Sequence, residues 1–153
     1  MKLADILNKS SVVADVKGES KQDILAELAT PLKTAGLIED ISPVVKIVME
    51  REALGSTGIG DGVAIPHGKL KNIDNIFCTF GRSKKGVDFD AIDGEPVHIF
   101  FLVLAPEDSA SQHLKVLSRI SKILRDQSFR RKLLNLTDAN AIFESIVEED
   151  EKF

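Results

Sequence analysis

The chain has 153 residues, of which 43% are hydrophobic and 29% are charged, a composition that fits one globular domain and argues against disorder. Its net charge of −4 gives no electrostatic case for binding nucleic acid. The single cysteine, Cys78, excludes an internal disulfide and fits a reducing compartment. The longest apolar run, VHIFFLVLAP, is too short to span a bilayer, and the first residues lack a signal-peptide pattern. We therefore expect a soluble, cytoplasmic protein with one domain over residues 1–153.

Two helices are predicted in the first third of the chain. The first covers GESKQDILAELATPLKTAG, with Ser20 as its N-cap, a kink at Pro31 and an end at Gly36. Its predicted buried face is an aliphatic stripe at helical spacing, formed by Ile24, Leu25, Leu28 and Leu32. The second helix covers ISPVVKIVMERE, with Ser42 as its N-cap and Pro43 in the first helical position.

Strands and further helices are predicted after a glycine-rich stretch. IFCTFGRS and VHIFFLVLAP are rich in β-branched and aromatic residues, and the second is apolar almost throughout, as in a strand buried on both faces. A long helix over DSASQHLKVLSRISKILRD has its predicted apolar face at Leu114, Leu117, Ile120, Ile123 and Leu124. Two shorter helices follow, SFRRKLLNL capped by Ser128 and TDANAIFESIVEE capped by Thr137, and the acidic EEDEK is predicted to be a solvated tail. This order indicates an α/β domain with helices on both faces of its sheet.

The glycine-rich stretch GSTGIGDGVAIPHGKL, residues 55–70, does not match a nucleotide-binding loop. A P-loop requires Gly-x4-Gly-Lys-Ser/Thr, but Val63 stands in place of the first glycine and Leu70 in place of the hydroxyl residue. A dinucleotide fingerprint begins at Gly58 and Gly60, but Val63 again replaces a glycine, and a predicted helix precedes it instead of a strand. The glycines are left with two roles, either a tight turn or an anion-binding concavity of backbone N–H groups.

Three histidines are the other candidates for chemistry. His98 lies inside the apolar strand, which is typical of a core or edge histidine whose hydrogen bonds are satisfied. His67 follows the predicted short strand VAIP, where Pro66 makes the backbone rigid; taken alone it is either inert or catalytic. His113 flanks the buried stripe of the long helix, and a surface role and a site role both stay open. No metal site is expected, because the histidines lack ligand spacing and Cys78 lies in a strand.

Residues Glu52 to Gly68 fill a longer pattern without departure: an acidic or amide residue, six free positions, then aliphatic-Gly-x-x-aliphatic-Ala-aliphatic-Pro-His-small. This pattern resembles the signature of the type-2 IIA domains of the bacterial phosphoenolpyruvate phosphotransferase system. The family's other sequence blocks also have similar counterparts here, in the same order: RE before LGSTGIG, then FDAIDGEPVHIFFLVLAP, then HLKVLSRI. The resemblance therefore covers about residues 3–146. GSTGIGDGVAIPHGKL and FDAIDGEPV are most similar to the nitrogen-regulatory members; fructose and mannitol members share the fold and the histidine.

The resemblance implies a mixed sheet of about five strands flanked by helices on both faces. It also implies that His67 accepts a phosphoryl group, that His113 is a second active-site histidine, and that Arg51 lies near the phosphorylation site. From the absent ligand spacing and the absent P-loop we expect no metal and no cofactor. Candidate phosphate-binding groups lie in the glycine turn, with turn capping as their alternative role: Ser56, Thr57, Gly58 and Gly60.

The implied chemistry suits these residues. A neutral histidine is a nucleophile for phosphorus, and its ordinary pKa near 6.5 leaves it mostly neutral at cell pH. The implied donor is a histidine phosphocarrier protein, so the reaction breaks one P–N bond and forms another. The transition state of such a transfer is loose, and the protein has mainly to stabilise its negative charge. The protein is then either a regulator whose phosphorylation state selects its target proteins, or a carrier that relays phosphate to a sugar-transport IIB domain. We favour the regulator, and expect neither nucleic-acid binding nor membrane insertion.

Overall fold

The computed structural model describes residues Met1–Phe153, which form a six-stranded mixed sheet with helices on both faces. Two short 3-10 helices, Leu3–Asp5 and Lys9–Ser11, precede the first strand. The strands are β1 (Val12–Val13), β2 (Gly58–Gly60), β3 (Val63–Ala64), β4 (His67–Leu70), β5 (Phe77–Val87) and β6 (Val97–Pro106). The helices are α1 (Lys21–Thr34), α2 (Ile41–Ala53), α3 (Ala110–Ile123), α4 (Gln127–Asn135) and α5 (Ala139–Asp150). The predicted α/β class and mixed sheet are confirmed. None of the helices combines the length and apolar character that crossing a membrane requires.

Strand β6 organises the sheet. β5 pairs with it antiparallel along one side, and β1 pairs parallel with the outer edge of β5. Along its other side β6 pairs parallel with two short strands in succession, β3 opposite Ile99 and Phe100, then β4 opposite residues 103–106. β2 pairs antiparallel with β3. The break between β3 and β4 therefore lies inside the sheet, and His67 is the first residue after it, opposite Val103.

The core has two halves, one on each face of the sheet. The α1 and α2 side chains pack on one face with Phe100 and Leu102 of β6, whereas α3, α4 and α5 pack on the other with Phe101 and Val103. These four β6 side chains are at most 1% exposed. The prediction of a strand buried on both faces is confirmed, as is the burial of the α1 stripe. Because each buried Leu or Phe contributes about 1.5–3 kcal/mol, this strand anchors both helical layers.

Helix α2 approaches β4 at a position where a side chain would interfere. A Cβ atom added at Gly68 would lie 3.1 Å from Ile47 Cγ2 and 3.3 Å from Val48 Cγ2. The absence of a side chain at Gly68 lets the helix lie directly against the strand that begins with His67. The C-terminal turn of α2, which contains Arg51, is thereby brought beside the histidine.

The start of α2 differs from the prediction. The helix begins at Ile41 with Asp40 as its N-cap, so the expected N-cap Ser42 is already helical and Pro43 is the third helical residue. Proline is tolerated there because the first four N–H groups of a helix have no intrahelical acceptor. The expected N-cap of α1 is confirmed, since Ser20 Oγ accepts a hydrogen bond from Asp23 N.

The N-caps predicted for the two last helices are also wrong. Asp126 caps α4 by accepting from the backbone N–H of Ser128, the residue that had been expected to be the cap. Asp138 caps α5 by accepting from Ala141 N, in place of the expected Thr137. Aspartate is at least as good an N-cap as serine or threonine, and at each site a hydroxyl residue lies next to or near it.

Two further expectations about the C-terminal half are corrected. Leu114 is 67% exposed, because the buried face of α3 is set by His113, Val116 and residues at the following turns. The acidic residues expected to form a solvated tail continue α5 to Asp150, which is 1% exposed. Its carboxylate accepts from Leu3 N at 2.7 Å and from the Arg119 side chain. These contacts tie the last helix to both α3 and the first residues of the chain.

Candidate functional site

The local backbone fixes the orientation and the tautomer of the half-buried His67. Its Nδ1 lies 2.8 Å from the carbonyl oxygen of Ile65. A carbonyl oxygen only accepts hydrogen bonds, so Nδ1 carries the proton, and the lone pair of the neutral ring resides on Nε2. Nε2 is therefore the nitrogen available for bond formation.

His113 faces His67 of strand β4 from helix α3. It is the fourth residue of α3 and is 5% exposed. The two ring centroids are 5.2 Å apart with the planes at 80°. The buried Nε2 of His113 has no hydrogen-bond partner in the protein. A buried polar atom without a partner is costly, which makes this nitrogen a candidate contact for a ligand.

The surroundings hold both histidines in the neutral state. Burial lowers the pKa of His67; the hydrogen bond to Ile65 and the charge of Glu52 oppose this shift, and the charge of Arg51 adds to it. Burial, followed by the charges of His67 and Lys69, lowers the pKa of His113 to about 4. At neutral pH the site therefore contains two uncharged imidazoles, each with an Nε2 atom that makes no hydrogen bond within the protein.

Arg51 supplies a positive charge that acts on His67. It lies in the last turn of α2, and its Nη1 donates a hydrogen bond to Gly55 O at 2.9 Å. It is close enough to His67 for its charge to lower the pKa of that ring. The structure thus brings together the three residues His67, His113 and Arg51, which lie on three different elements.

Among the four turn residues, Ser56 and Thr57 have their hydroxyl groups engaged within the protein. Ser56 Oγ donates to Phe89 O at 2.6 Å and accepts from Gly58 N at 3.0 Å. The buried Thr57 donates both its N–H and its hydroxyl to the Glu52 carboxylate. The other two residues shape the turn: Gly58 packs against the Ala91 backbone, and Gly60 has a φ of +95°. These contacts are those of turn capping; a phosphate-binding role for the four residues stays a prediction.

Sequence reasoning missed two charged residues near the histidines. Lys69 follows His67 by two residues in β4, so both side chains project from the same face of the sheet, and its charge lowers the pKa of His113. That alternation was a usable signal. The sequence identifies Glu52 only as a motif position, although its charge acts on His67 and its carboxylate accepts from Thr57. His98 behaves as expected, with Nδ1 2.8 Å from Ser83 O.

Comparison with known proteins places this chain in a family. Residues 5–149 match the family model described as "Phosphoenolpyruvate-dependent sugar phosphotransferase system, EIIA 2". The chain is 42% identical over 144 residues to a nitrogen regulatory protein of Bradyrhizobium diazoefficiens, covering 94% of this chain and 93% of that protein. The crystal structure of the nitrogen regulatory protein IIA-Ntr from Neisseria meningitidis superposes with a TM-score of 0.87 at 33% identity, covering 94% of this chain and 98% of that one.

A further relative carries the same kind of segment within a longer protein. The chain is 36% identical over 150 residues to the fructose-specific EIIABC component of the Bacillus subtilis phosphotransferase system. The match covers 98% of this chain but only 24% of that protein. From the family match over nearly its whole length and the agreement of these relatives, the chain belongs to the type-2 EIIA family of the phosphoenolpyruvate-dependent sugar phosphotransferase system.

Proposed function

We propose that the protein accepts a phosphoryl group on Nε2 of His67 from the phosphohistidine of a histidine phosphocarrier protein. The observation that carries this proposal is the contact between His67 Nδ1 and Ile65 O, which leaves Nε2 free beside the buried ring of His113. The lowered pKa of His67 supports it, because a neutral imidazole is the nucleophilic form.

The proposed transfer exchanges one P–N bond for another. The bond between phosphorus and the donor nitrogen breaks while a bond to Nε2 of His67 forms. Each ring keeps a proton on the nitrogen that does not carry the phosphoryl group, which for His67 is the Nδ1 proton held by Ile65 O. The exchange of P–N bonds requires no proton transfer between the two rings, so the bonds broken and formed are similar and the step runs in either direction.

Arg51 and His113 are assigned to charge stabilisation. The transition state of phosphoryl transfer is loose and spreads negative charge over three equatorial oxygens. Arg51 supplies a fixed cation. The buried Nε2 of His113 has no other hydrogen-bond partner and is assigned to the phosphoryl oxygens. By comparison with the removal of one oxyanion donor, each residue is expected to contribute about 10²–10³-fold to the rate.

A regulatory role in the nitrogen branch is the function that we favour. It is supported by the names of relatives that match this chain along nearly their whole length. In this proposal, phosphorylation of His67 changes which target proteins are bound. A cytoplasmic location fits the buried free thiol of Cys78. The alternative is relay of phosphate to a sugar-transport IIB domain, which the similarity to the fructose-specific EIIABC component favours.

Intact mass measurement after incubation with phosphoenolpyruvate, enzyme I and the histidine phosphocarrier protein tests the proposal. The wild type should gain one phosphoryl group, and His67→Ala should gain none while keeping its unfolding transition. His98→Gln is the matched control, because His98 bonds Ser83 O away from the site, and it should be phosphorylated like the wild type. Phosphorylation of the His67→Ala variant would refute the assignment.

The two candidate functions separate in a second step. The phosphorylated protein is mixed with a fructose-type IIB domain, and both masses are followed over time. Retention of the phosphoryl group on this chain supports the regulator. Rapid appearance of the group on the IIB domain supports the carrier instead.

A further inference from the structure

Glu52 is a buried carboxylate whose charge acts on the His67 ring, the proposed phosphoryl site. Its side chain is 2% exposed, and it follows Arg51 in the last turn of α2. It accepts hydrogen bonds from Thr57 N at 3.1 Å, from the Thr57 hydroxyl and from Lys21 Nζ at 3.2 Å. A buried charge is tolerated only when it is paired and hydrogen-bonded. The placement of a carboxylate here is unexpected, because an incoming phosphoryl group is itself an anion.

Lys21 compensates this charge from the first turn of another helix. Its Nζ lies 3.2 Å from Glu52 Oε2 and 3.0 Å from Asp90 Oδ2, and its side chain is only 17% exposed. The same ammonium lies 5.1 Å from the ring centroid of Phe89, within the range of a cation–π contact. Burial alone would lower the pKa of Lys21, but its contacts with Asp90 and Glu52 outweigh burial and raise it. Lys21 therefore stays charged at the end of α2.

A chain of hydrogen bonds leads from this ion pair to the phosphoryl-accepting ring. Glu52 holds the backbone N–H of Thr57, and the carbonyl of Thr57 accepts from Ile65 N at 3.0 Å. The carbonyl of Ile65 in turn holds His67 Nδ1 at 2.8 Å. Both intermediate residues are 5% exposed, so neither has freedom to move independently. A displacement of Glu52 would be passed on to the ring that must present Nε2.

We propose that Lys21 and Glu52 form a positioning unit that orients His67 through Thr57 and Ile65 and keeps the field at its Nε2 compatible with an anionic phosphoryl group. This inference rests on the proposed phosphorylation of His67. Glu52 supplies the geometry, because its carboxylate fastens the turn. Lys21 supplies the compensation, because without it the carboxylate would repel the phosphoryl group.

The first test measures the pKa of His67 by NMR in the unphosphorylated protein. The charged or titratable groups acting on this ring are Arg51 and Glu52 from α2 and His113 from α3, with Lys69 of β4 acting on His113. Lys21→Met leaves Glu52 uncompensated and should raise the pKa of His67. Glu52→Gln removes the negative charge and should lower it, and the double variant should return it close to the wild-type value.

The second test measures the initial rate of phosphorylation by the phosphoenolpyruvate relay. Lys21→Met should slow transfer about tenfold, the change that corresponds to about one pKa unit of altered interaction with one charge. Lys21→Arg keeps the cation and should stay near the wild-type rate, and Glu52→Gln in the Lys21→Met background should restore most of the lost rate. Lys33→Met is the matched control from the same helix, because Lys33 is 52% exposed and pairs only with Asp40.

The two readouts distinguish failure of this inference from failure of the proposed function. A wild type that gains no phosphate contradicts the proposed function, whereas the His67 pKa still tests the coupling. Equal pKa values in the wild type, Lys21→Met and Glu52→Gln would overturn the inference, as would equal transfer rates of Lys21→Met and Lys33→Met. If Lys21→Met does not fold, Glu52→Gln and Lys21→Arg decide by the same criteria: a lowered pKa of His67 in the first and wild-type values in the second.

Discussion

Phosphorylation of His67 should convert His113 from a neutral imidazole into an imidazolium. Without phosphate, the pKa of His113 is about 4 instead of 6.5, which corresponds to a cost of about 3 kcal/mol for the charged form. A phosphoryl group carries a charge of about −1.5 to −2. At a distance of about 5 Å, the separation of the two rings, and an effective dielectric constant near 20, its attraction for a cation is about 5 kcal/mol or more. The attraction exceeds the cost, so the pKa of His113 should rise above 7.

The assay is an NMR pH titration of protein with ¹⁵N-labelled histidine, with and without the phosphoenolpyruvate relay. Near neutral pH the His113 signals should be those of a neutral ring without phosphate and of an imidazolium with it. His98 is the internal control, because its Nδ1 is engaged by Ser83 O outside the site. A His113 pKa that stays below about 5 in the phosphorylated protein would show that the phosphoryl group does not lie against this ring.

Three further outcomes are expected. Arg51→Ala should slow phosphoryl transfer by about 10²-fold while changing the free energy of unfolding by less than about 1 kcal/mol, and a rate equal to the wild type would remove Arg51 from the site. In the unfolded chain His113 binds a proton below its ordinary pKa of 6.5, whereas in the folded chain it does so only below about pH 4. The free energy of unfolding should therefore fall by about 2 kcal/mol from this residue when the pH is lowered from 6.5 to 5. Urea unfolding of His113→Phe should lack that component; an unchanged pH dependence would contradict the lowered pKa. Arg82 is 2% exposed, and its Nη1 donates to Leu133 O and Leu136 O at the end of α4. Arg82→Met should therefore lower the free energy of unfolding by about 3 kcal/mol without slowing phosphoryl transfer. An unchanged urea midpoint would refute this role.

Much of the fold was predictable because its signals are local. The aliphatic stripe from Ile24 to Leu32 repeats with the helical period. Apart from His98, β6 is apolar because each of its faces meets a helical layer. The proximity of His67 and His113 could be expected only through the family resemblance, since their separation in sequence carries no local pattern. Their contact results from the parallel pairing of β4 with β6, which leads directly into α3.

The misses have physical reasons of two kinds. At the helix N-termini, several residues with equal capping ability lie close together, and backbone geometry selects Asp126 instead of Ser128. Tertiary contacts decide the other cases: α5 remains helical to Asp150 because Arg119 and Leu3 hold that carboxylate. Lys21 had no signal at all, because it meets Glu52 across 31 residues of chain.

The position of the phosphoryl group on the ring tests the central claim most directly. Long-range ¹H–¹⁵N spectra of the phosphorylated protein identify the nitrogen that carries phosphorus and the one that carries the proton. The hydrogen bond between Nδ1 and Ile65 O predicts phosphorus on Nε2 of His67, with the proton retained on Nδ1. Phosphorus on Nδ1, or on any other residue, would contradict the account.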